Sequence, residues 1–357
     1  GGVFRITDGL TKTFGQSRCF DTPLAESGIV GMAVGMAMNG MRPVIEMQFD
    51  AFAYPAFEQI VSHVAKMHNR TKGTVKLPIV IRVPYAGGIG GVEHHCDSSE
   101  AYYAHTPGLK VVTPATVEDA YSLLREAIAD PDPVIFMEPK RLYWSKAEVE
   151  LPVSAAPFGT AAVRREGRDV TLVAYGPSVP VALEAAEAAK DEGWDVEVVD
   201  LRTIVPFDDE TVVASVRRTG RCVVIQEAQG FGGVGAEIAS RVQERAFHAL
   251  HAPVLRVSGL DVPSPPPKLE HVHLPWEPGR TLQSRAAPAW AAVAAVKSMS
   301  RRSTTLRPIS LSSGWREIRA ALTDTAFVFL SNKLPTQNSL SVRQGRAAEA
   351  LTSSAPT

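Results

Sequence analysis

Nothing in this chain is long and apolar enough to span a bilayer, and no signal-peptide pattern opens it. Cysteines are scarce. Cys19, Cys96 and Cys222 are scattered singly, which argues against a disulfide framework and suits a reducing compartment. Neither sign of charge is in excess. The net charge is -1, so no general attraction to nucleic acid or to an anionic membrane is expected. Walker A, G-x-S-x-G and H-E-x-x-H patterns are missing, as is any short-period repeat that would signal a solenoid. The initiator methionine is missing too. The chain opens in mid-pattern on Gly1-Gly2-Val3-Phe4, so residues upstream are expected. What remains is ordinary globular composition, 45% hydrophobic and 21% charged over 357 residues, enough for two domains.

Residues 22 to 138 alternate between helix and strand patterns. Pro43 to Gln48 reads as a strand and Tyr54 to Asn69 as a helix, with Phe57, Ile60, Val61 and Val64 on one face. Leu77 to Val83 is a short apolar run of the kind found in buried parallel strands. Leu109 to Thr113 and Pro133 to Glu138 are further strands around a helix over Val117 to Ala129. Such alternation predicts an α/β fold with a parallel sheet covered on both faces. After a variable stretch, a smaller α/β block follows. Its strands are expected at Val170 to Tyr175, Val196 to Leu201, Cys222 to Gln226 and Val254 to Val257. Its helices are expected at Val179 to Glu192, Asp208 to Arg217 and Ala236 to Ala246.

Composition changes after Pro275. Residues 275 to 357 carry 11 Lys+Arg against 4 Asp+Glu, and Ser, Thr, Ala and Arg dominate. Apolar patterning survives only in Trp290 to Val296 and Ala326 to Leu330. This tail is expected to be disordered, or foreign through an altered reading frame, and not to pack on the body.

The most informative stretch is Asp21-Thr-Pro-Leu-Ala-Glu-Ser-Gly28. Asp21 or Thr22 can cap a helix whose first turn suits Pro23. That helix runs to Asn39-Gly40, and Gly28, Gly31 and Gly35 lie along it, which suggests close backbone packing. Glu26 therefore sits in the first turn beside a packed face. Locally, a solvated glutamate complementing the helix dipole is the favoured reading, ahead of a functional carboxylate.

Two glycine-rich loops compete for a ligand. Pro84 to Ser99 follows a strand end and holds four glycines before His94, His95, Cys96 and Asp97. Ligand sites in open α/β sheets lie outside the carboxyl ends of strands. Adjacent side chains cannot converge on one zinc ion. A lone histidine is by default a surface or packing residue, and a glycine-rich loop at a strand end raises the odds of a catalytic one. A Cys96 thiol nucleophile is disfavoured, because sequence neighbours point apart. Gly230-Phe-Gly-Gly-Val-Gly235 formally matches G-x-G-x-x-G, but residues 227 to 229 separate it from the expected strand, which breaks the tight turn. A nicotinamide site there is a minority reading.

Several motifs in order now resemble a known family. Asp21 to Gly28, Arg42-Pro-Val-Ile-Glu-Met-Gln-Phe49, Tyr54-Pro-Ala-Phe-Glu-Gln-Ile60, Gly87 to His95, Thr106 to Pro114 and Leu201-Arg-Thr-Ile-Val-Pro-Phe-Asp208 resemble the beta subunit of 2-oxo acid dehydrogenases. Gln48-Phe49 and Tyr54 to Phe57 look more like the branched-chain, 2-oxoisovalerate type than the pyruvate enzymes. The resemblance runs from Gly1 to about Pro275. It implies a transketolase-like pyrimidine-binding domain over residues 1–146 with its first strand missing, a linker over 147–158, and a transketolase C-terminal domain over 159–275. The foreign tail would be residues 276–357, in place of the family's short C-terminal helix.

The resemblance also implies the chemistry. Thiamine diphosphate with Mg2+ would be the cofactor, and Glu26 would hydrogen-bond its aminopyrimidine ring from a dry pocket that raises the carboxyl pKa. Phe52 would stack on the pyrimidine. His95 would handle protons near the 2-oxo acid and during acyl transfer to lipoyl. The segment that holds diphosphate and magnesium is missing, which implies an alpha subunit partner in a heterotetramer of two alpha and two beta chains. The acyltransferase core with its lipoyl group would be a further partner, and nucleic acid and membrane would not be. A structural potassium ion is implied near Ala127, Asp130 and Asp132. Cys96 replaces the family's usual serine. The expected site is cytoplasmic, or the mitochondrial matrix if the source is eukaryotic. The competing functions are a pyruvate or acetoin enzyme, a truncated and inactive interaction subunit, and a nicotinamide enzyme.

Overall fold

A computed structural model describes residues 2–151, 153, 157–274, 292, 293 and 296. The first sheet is built from β1 (Val44–Glu46), β2 (Val80–Tyr85), β3 (Lys110–Val112) and β4 (Val134–Pro139), all parallel, in the order β1-β2-β4-β3. β2 and β4 are buried along their whole length, as unbroken apolar runs should be when helices cover both faces. Around them lie α1 (Leu10–Phe14), α2 (Glu26–Met38), α3 (Phe57–Gln59), α4 (Met67–Arg70), α5 (Glu100–Ala104) and α6 (Val117–Ala129). α6 starts where Thr116 accepts a hydrogen bond from the Asp119 amide at 3.2 Å, and it buries Leu123 and Ala127 against β4.

The second sheet has the order β10-β9-β6-β7-β5, from β5 (Ala162–Arg165), β6 (Val170–Ala174), β7 (Val196–Asp200), β9 (Cys222–Gln229) and β10 (Leu255–Gly259). Its helices are α7 (Ser178–Lys190), α8 (Asp209–Thr219), α9 (Val234–Ala246) and the short α10 (Glu270–His273). Among the described residues, no helix is long and apolar enough to cross a membrane.

Five sequence expectations change. α2 starts at Glu26 after Ala25, so neither Asp21 nor Thr22 caps it and Pro23 lies outside its first turn. β8 (Thr203–Val205) pairs antiparallel with β3, so the first sheet gains a fifth strand from the second block of sequence. β5 was not anticipated either, and it is antiparallel to β7. The helix expected over Tyr54 to Asn69 is fractured. A 3-10 turn over Ala51–Ala56 contains Pro55, which has no amide to donate, and a π turn follows over Ile60–Val64. Finally, Val293 and Val296 are buried in the apolar cluster of the second sheet with Val170, Val198 and Ile225. The expectation that nothing past Pro275 packs on the body fails at these two valines. Ala326 to Leu330 and the rest of 305–357 lie outside the described residues, as does part of the expected linker.

One core joins the two sheets. Met137 of β4 and Val173 of β6 belong to the same buried cluster. Polar links cross the same boundary. Arg202 donates to Asp119 at 2.7 Å, and Arg164 bridges Asp119 and Asp200. Tyr175 donates to Glu100 at 2.9 Å. Burial pushes Glu100 up to about 7 despite that bond. A carboxyl raised in the fold contributes stability that is full below its unfolded value and is lost as pH rises through about 7. Glu100→Gln, which keeps the acceptor for Tyr175, should therefore flatten the stability profile between about pH 5 and pH 8, by up to about 3 kcal/mol. Urea melts across that range check this. An unchanged slope would show that Glu100 ionises freely.

Candidate active site

α2 begins at Glu26, which is half-buried in the first turn. Val30, Ala33 and Ala37 face the core, and the hydroxyl of Ser27 donates to the Pro55 carbonyl, so this end of α2 is tied to the Ala51–Ala56 turn. That turn carries Phe52. The opposite side of α2 is open. A Cβ added at Gly35 would meet nothing within 4 Å, and at Gly28 or Gly31 nothing closer than 3.8 Å. The three glycines are not required by packing within this chain. Met32 and Met38 are exposed on the same helix.

The loop after β2 brings His95 to Phe52. The His95 ring stacks on Phe49 with centroids 3.9 Å apart and planes 20° apart. Phe52 stands edge-on to His95 at 5.5 Å and to Phe49 at 5.9 Å. Edge-to-face and offset contacts at these spacings lock ring orientation. His94 leans on the cluster at 4.4 Å from His95 but is exposed. Desolvation pulls the His95 pKa below its usual value, and the nearby positive charges of His94 and Lys140 add to this. The imidazole is thus poised as a neutral group near physiological pH. Tyr54 donates to Asp97 at 2.9 Å and steadies the far end of the loop.

Beneath this cluster is a pair that sequence reasoning missed. Lys140, just past β4, lies 3.6 Å from Asp50, and both side chains are fully buried. Lys140 Nζ is 5.8 Å from the Phe49 ring centre. Burial raises Asp50 to about 7 against the opposing pull of Lys140, and burial lowers Lys140. Phe49 was quoted only as part of a motif. No local period marks any of the three. The available signal was a lysine directly after a run of buried strand residues, which is costly unless paired.

Cys96 is buried, and burial with the nearby Glu270 charge pushes its thiol up to about 12. It is not a thiolate nucleophile. Iodoacetamide at neutral pH should label half-exposed Cys19 well before Cys96 or Cys222, as peptide mass spectrometry would show. Early labelling of Cys96 would reopen the nucleophile reading.

The second glycine loop holds its own side chain. β9 runs on to Gln229 and α9 starts at Val234, so the strand-loop-helix turn is tighter than the sequence suggested. Yet Gln226 fills it. Its side-chain oxygen accepts from the Gly235 amide at 2.5 Å, and its amide donates to the carbonyls of Ala228 and Gln229 at 3.1 and 2.7 Å. A Cβ at Gly233 or Gly235 would collide with Gln226. The glycines make room for a glutamine where a pyrophosphate would lie.

The positions tied to potassium are also engaged. Asp130 accepts two hydrogen bonds from Lys110 at 2.7 and 2.6 Å, and Asp132 bonds His68 at 2.7 Å. The carbonyls of Ile128 and Asp130 accept from Arg42 at 2.8 and 3.1 Å, and Ala127 is buried within α6. Donors of the chain thus reach the Asp130 and Asp132 carboxylates and the Ile128 and Asp130 carbonyls. Among the described residues there is no group of three or more His, Cys, Asp or Glu placed to hold a metal.

Comparison with known proteins fits this geometry. Residues 1–145 match the family described as transketolase, pyrimidine binding domain, and residues 159–278 match transketolase, C-terminal domain. The 3-methyl-2-oxobutanoate dehydrogenase subunit beta of Mycobacterium tuberculosis is 55% identical over 276 residues, covering 77% of this chain and 79% of that protein. The pyruvate dehydrogenase E1 component subunit beta of Leifsonia xyli is 54% identical over 275 residues, covering 77% and 82%. A solved structure titled split gene transketolase, inactive beta4 tetramer, superposes with a TM-score of 0.64 at 28% identity, covering 83% of this chain and 89% of that one. Matched through both domains and identical to these relatives at about half of the aligned positions, the chain belongs to the family of 2-oxo acid dehydrogenase beta subunits.

Proposed function

We propose that this chain is the beta half of a thiamine-diphosphate-dependent oxidative decarboxylase for branched-chain 2-oxo acids, active only with an alpha subunit. The observation that carries the reading is the ring cluster of Phe49, Phe52 and His95, with Glu26 at the adjoining end of α2. A carboxyl group and an apolar ring suit an aminopyrimidine, so these residues fit that half of the cofactor. The glycine loop beside α9 does not suit a diphosphate, because Gln226 fills it. Gly28, Gly31 and Gly35 leave one side of α2 open to close approach by another chain. A site of this kind is completed from outside.

When bound, thiamine diphosphate supplies the electron sink that decarboxylation requires. Glu26 would share a proton with the aminopyrimidine, and Phe52 would pack on it. The neutral His95 imidazole accepts a proton on the substrate side and returns it. Phe49 holds that imidazole flat, and burial, with His94 and Lys140 nearby, favours its neutral form. Magnesium and the diphosphate fall to the alpha subunit, and the acyl group passes to a lipoyl-bearing acyltransferase core.

Gln48-Phe49 and Tyr54 to Phe57 support the branched substrate. The pyruvate reading is the second one, favoured by the relative at 54% identity. The test is co-expression with an alpha chain from the same genome, then dye-coupled turnover of 3-methyl-2-oxobutanoate and of pyruvate, with and without cofactor. Cofactor-dependent preference for the branched acid is expected. Preference for pyruvate would move the assignment to the second reading. An assembled pair without turnover of either would leave an interaction subunit.

A further inference from the structure

The loop that carries His95 hangs from the second domain. Its ends close on each other, with the Ala86 amide donating to the Asp97 carbonyl at 2.8 Å. Between those ends, the Gly87 amide donates to the carboxylate of Glu227. The Gly88 and Gly90 amides donate to the two oxygens of Glu270 at 2.6 and 2.9 Å. The Ser264 hydroxyl donates to the Cys96 carbonyl at 3.3 Å. Glu227 belongs to β9 and Glu270 opens α10, so the three acceptors for the Gly87, Gly88 and Gly90 amides come from residues 140 and 180 or more positions away.

The arrangement is costly and closely fitted. Glu227 and Glu270 are 3% and 7% exposed, and carboxylates so buried need hydrogen bonds to be tolerated. The two amides that serve Glu270 belong to Gly88 and Gly90, whose φ values of +83° and +66° give a backbone shape that gathers N–H groups around an acceptor. A Cβ at Gly87 would lie 2.7 Å from Glu270 Oε1, so the approach also needs glycine there. Here the anion is part of the chain itself. Beyond Gly90 the chain has little slack. The His95 amide bonds the Val92 carbonyl at 2.8 Å, and the Cys96 amide bonds Glu93 at 3.0 Å. A shift of the glycine turn therefore passes to the imidazole stacked on Phe49.

We propose that Glu270, with Glu227 beside it, is a positioning residue for His95, and that α10 places the geometry of the histidine loop under the control of the second domain. The claim rests on His95 being a site residue, and its test is chosen to separate the two. The first measurement uses the full chain alone. Glutamate-specific protease is given access to Glu93, inside the loop, and cleavage there is timed. Glu270→Gln keeps one acceptor but turns an NH2 group towards an amide donor. It should speed cleavage about tenfold, the ratio that corresponds to losing one hydrogen bond to a charged group. Lys268→Gln, on the exposed part of the same segment, should cleave at the wild-type rate.

The second measurement uses the pair formed with the alpha chain. Glu270→Gln should lower kcat about tenfold or more while KM for the 2-oxo acid stays within about twofold, because misplacement of a group acts on the step it serves. Glu270→Asp, one carbon shorter with its charge intact, should recover part of both losses. It also carries both measurements if the glutamine variant fails to fold. Wild-type protection of Glu93 in the variants would overturn the clamp. Faster cleavage with unchanged kcat would show a clamp that does not position His95. If the wild-type pair has no turnover, the functional reading fails, and the cleavage rates still decide the clamp.

Discussion

Glu26→Gln is expected to lower decarboxylation by the assembled pair about a thousandfold, in the middle of the range for losing a positioned acid-base group. The amide keeps the length and volume of the side chain. It cannot take or give the proton that an aminopyrimidine nitrogen must exchange. Stability should be almost unaffected, because Glu26 is half-buried at the start of α2 and is not part of its packed face of Val30, Ala33 and Ala37. The loss of a first-turn carboxylate beside the helix dipole costs only about 0.3–1 kcal/mol. Turnover should thus collapse while co-purification with the alpha chain and the melting temperature hold. Wild-type turnover in this variant would remove Glu26 from the chemistry. Loss of assembly with turnover intact per assembled pair would make it an interface residue.

The parts of the fold that could be read from sequence are those where burial leaves a local period. Val117 to Ala129 was expected as a helix and is one, because a Thr cap, an acidic first turn and Leu123 and Ala127 on one face agree. The run from Leu77 became β2 because a strand buried on both faces must be apolar throughout. β5 and β8 went unseen for the converse reason. Each is a short edge strand, and its partner lies far away in sequence, so Ala162 to Arg165 and Thr203 to Val205 show no run or alternation of useful length. In the candidate site, Phe52 and His95 were found through resemblance, and the structure brings their rings together. What surrounds them was illegible. Glu227 and Glu270 act on loop amides through long-range contacts, and an acidic residue in a polar stretch looks like any solvated one. In the tail, the composition of a long basic, Ser-rich stretch hides two valines at helical spacing, Val293 and Val296, which are enough for burial.

The second large effect is expected at the buried pair. Lys140→Met should destabilise the chain by about 3–5 kcal/mol at about pH 8, the usual cost of stranding one member of a buried ion pair. Methionine matches the length of the lysine stem, so little cavity forms and the loss is electrostatic. Asp50 is fully buried, and its carboxyl already stands at about 7 with Lys140 beside it. Without that charge, burial is opposed only by the backbone hydrogen bonds at Asp50 and Ala51, and the carboxyl rises further. The sign follows from linkage. A raised carboxyl is stabilising when protonated and loses that contribution as pH climbs through its folded value, so the variant should suffer less at about pH 5 than at about pH 8. Asp50→Asn combined with Lys140→Met removes both charges and should recover most of the loss, because replacing a buried pair by neutral groups of like volume is often close to neutral. The double-mutant cycle then gives the coupling directly. In the same double variant, the His95 imidazole loses a neighbouring positive charge and should titrate closer to its ordinary value, which NMR of the ring protons can follow. A single variant as stable as wild type at both pH values would mean that Asp50 and Lys140 reach water and share no buried charge.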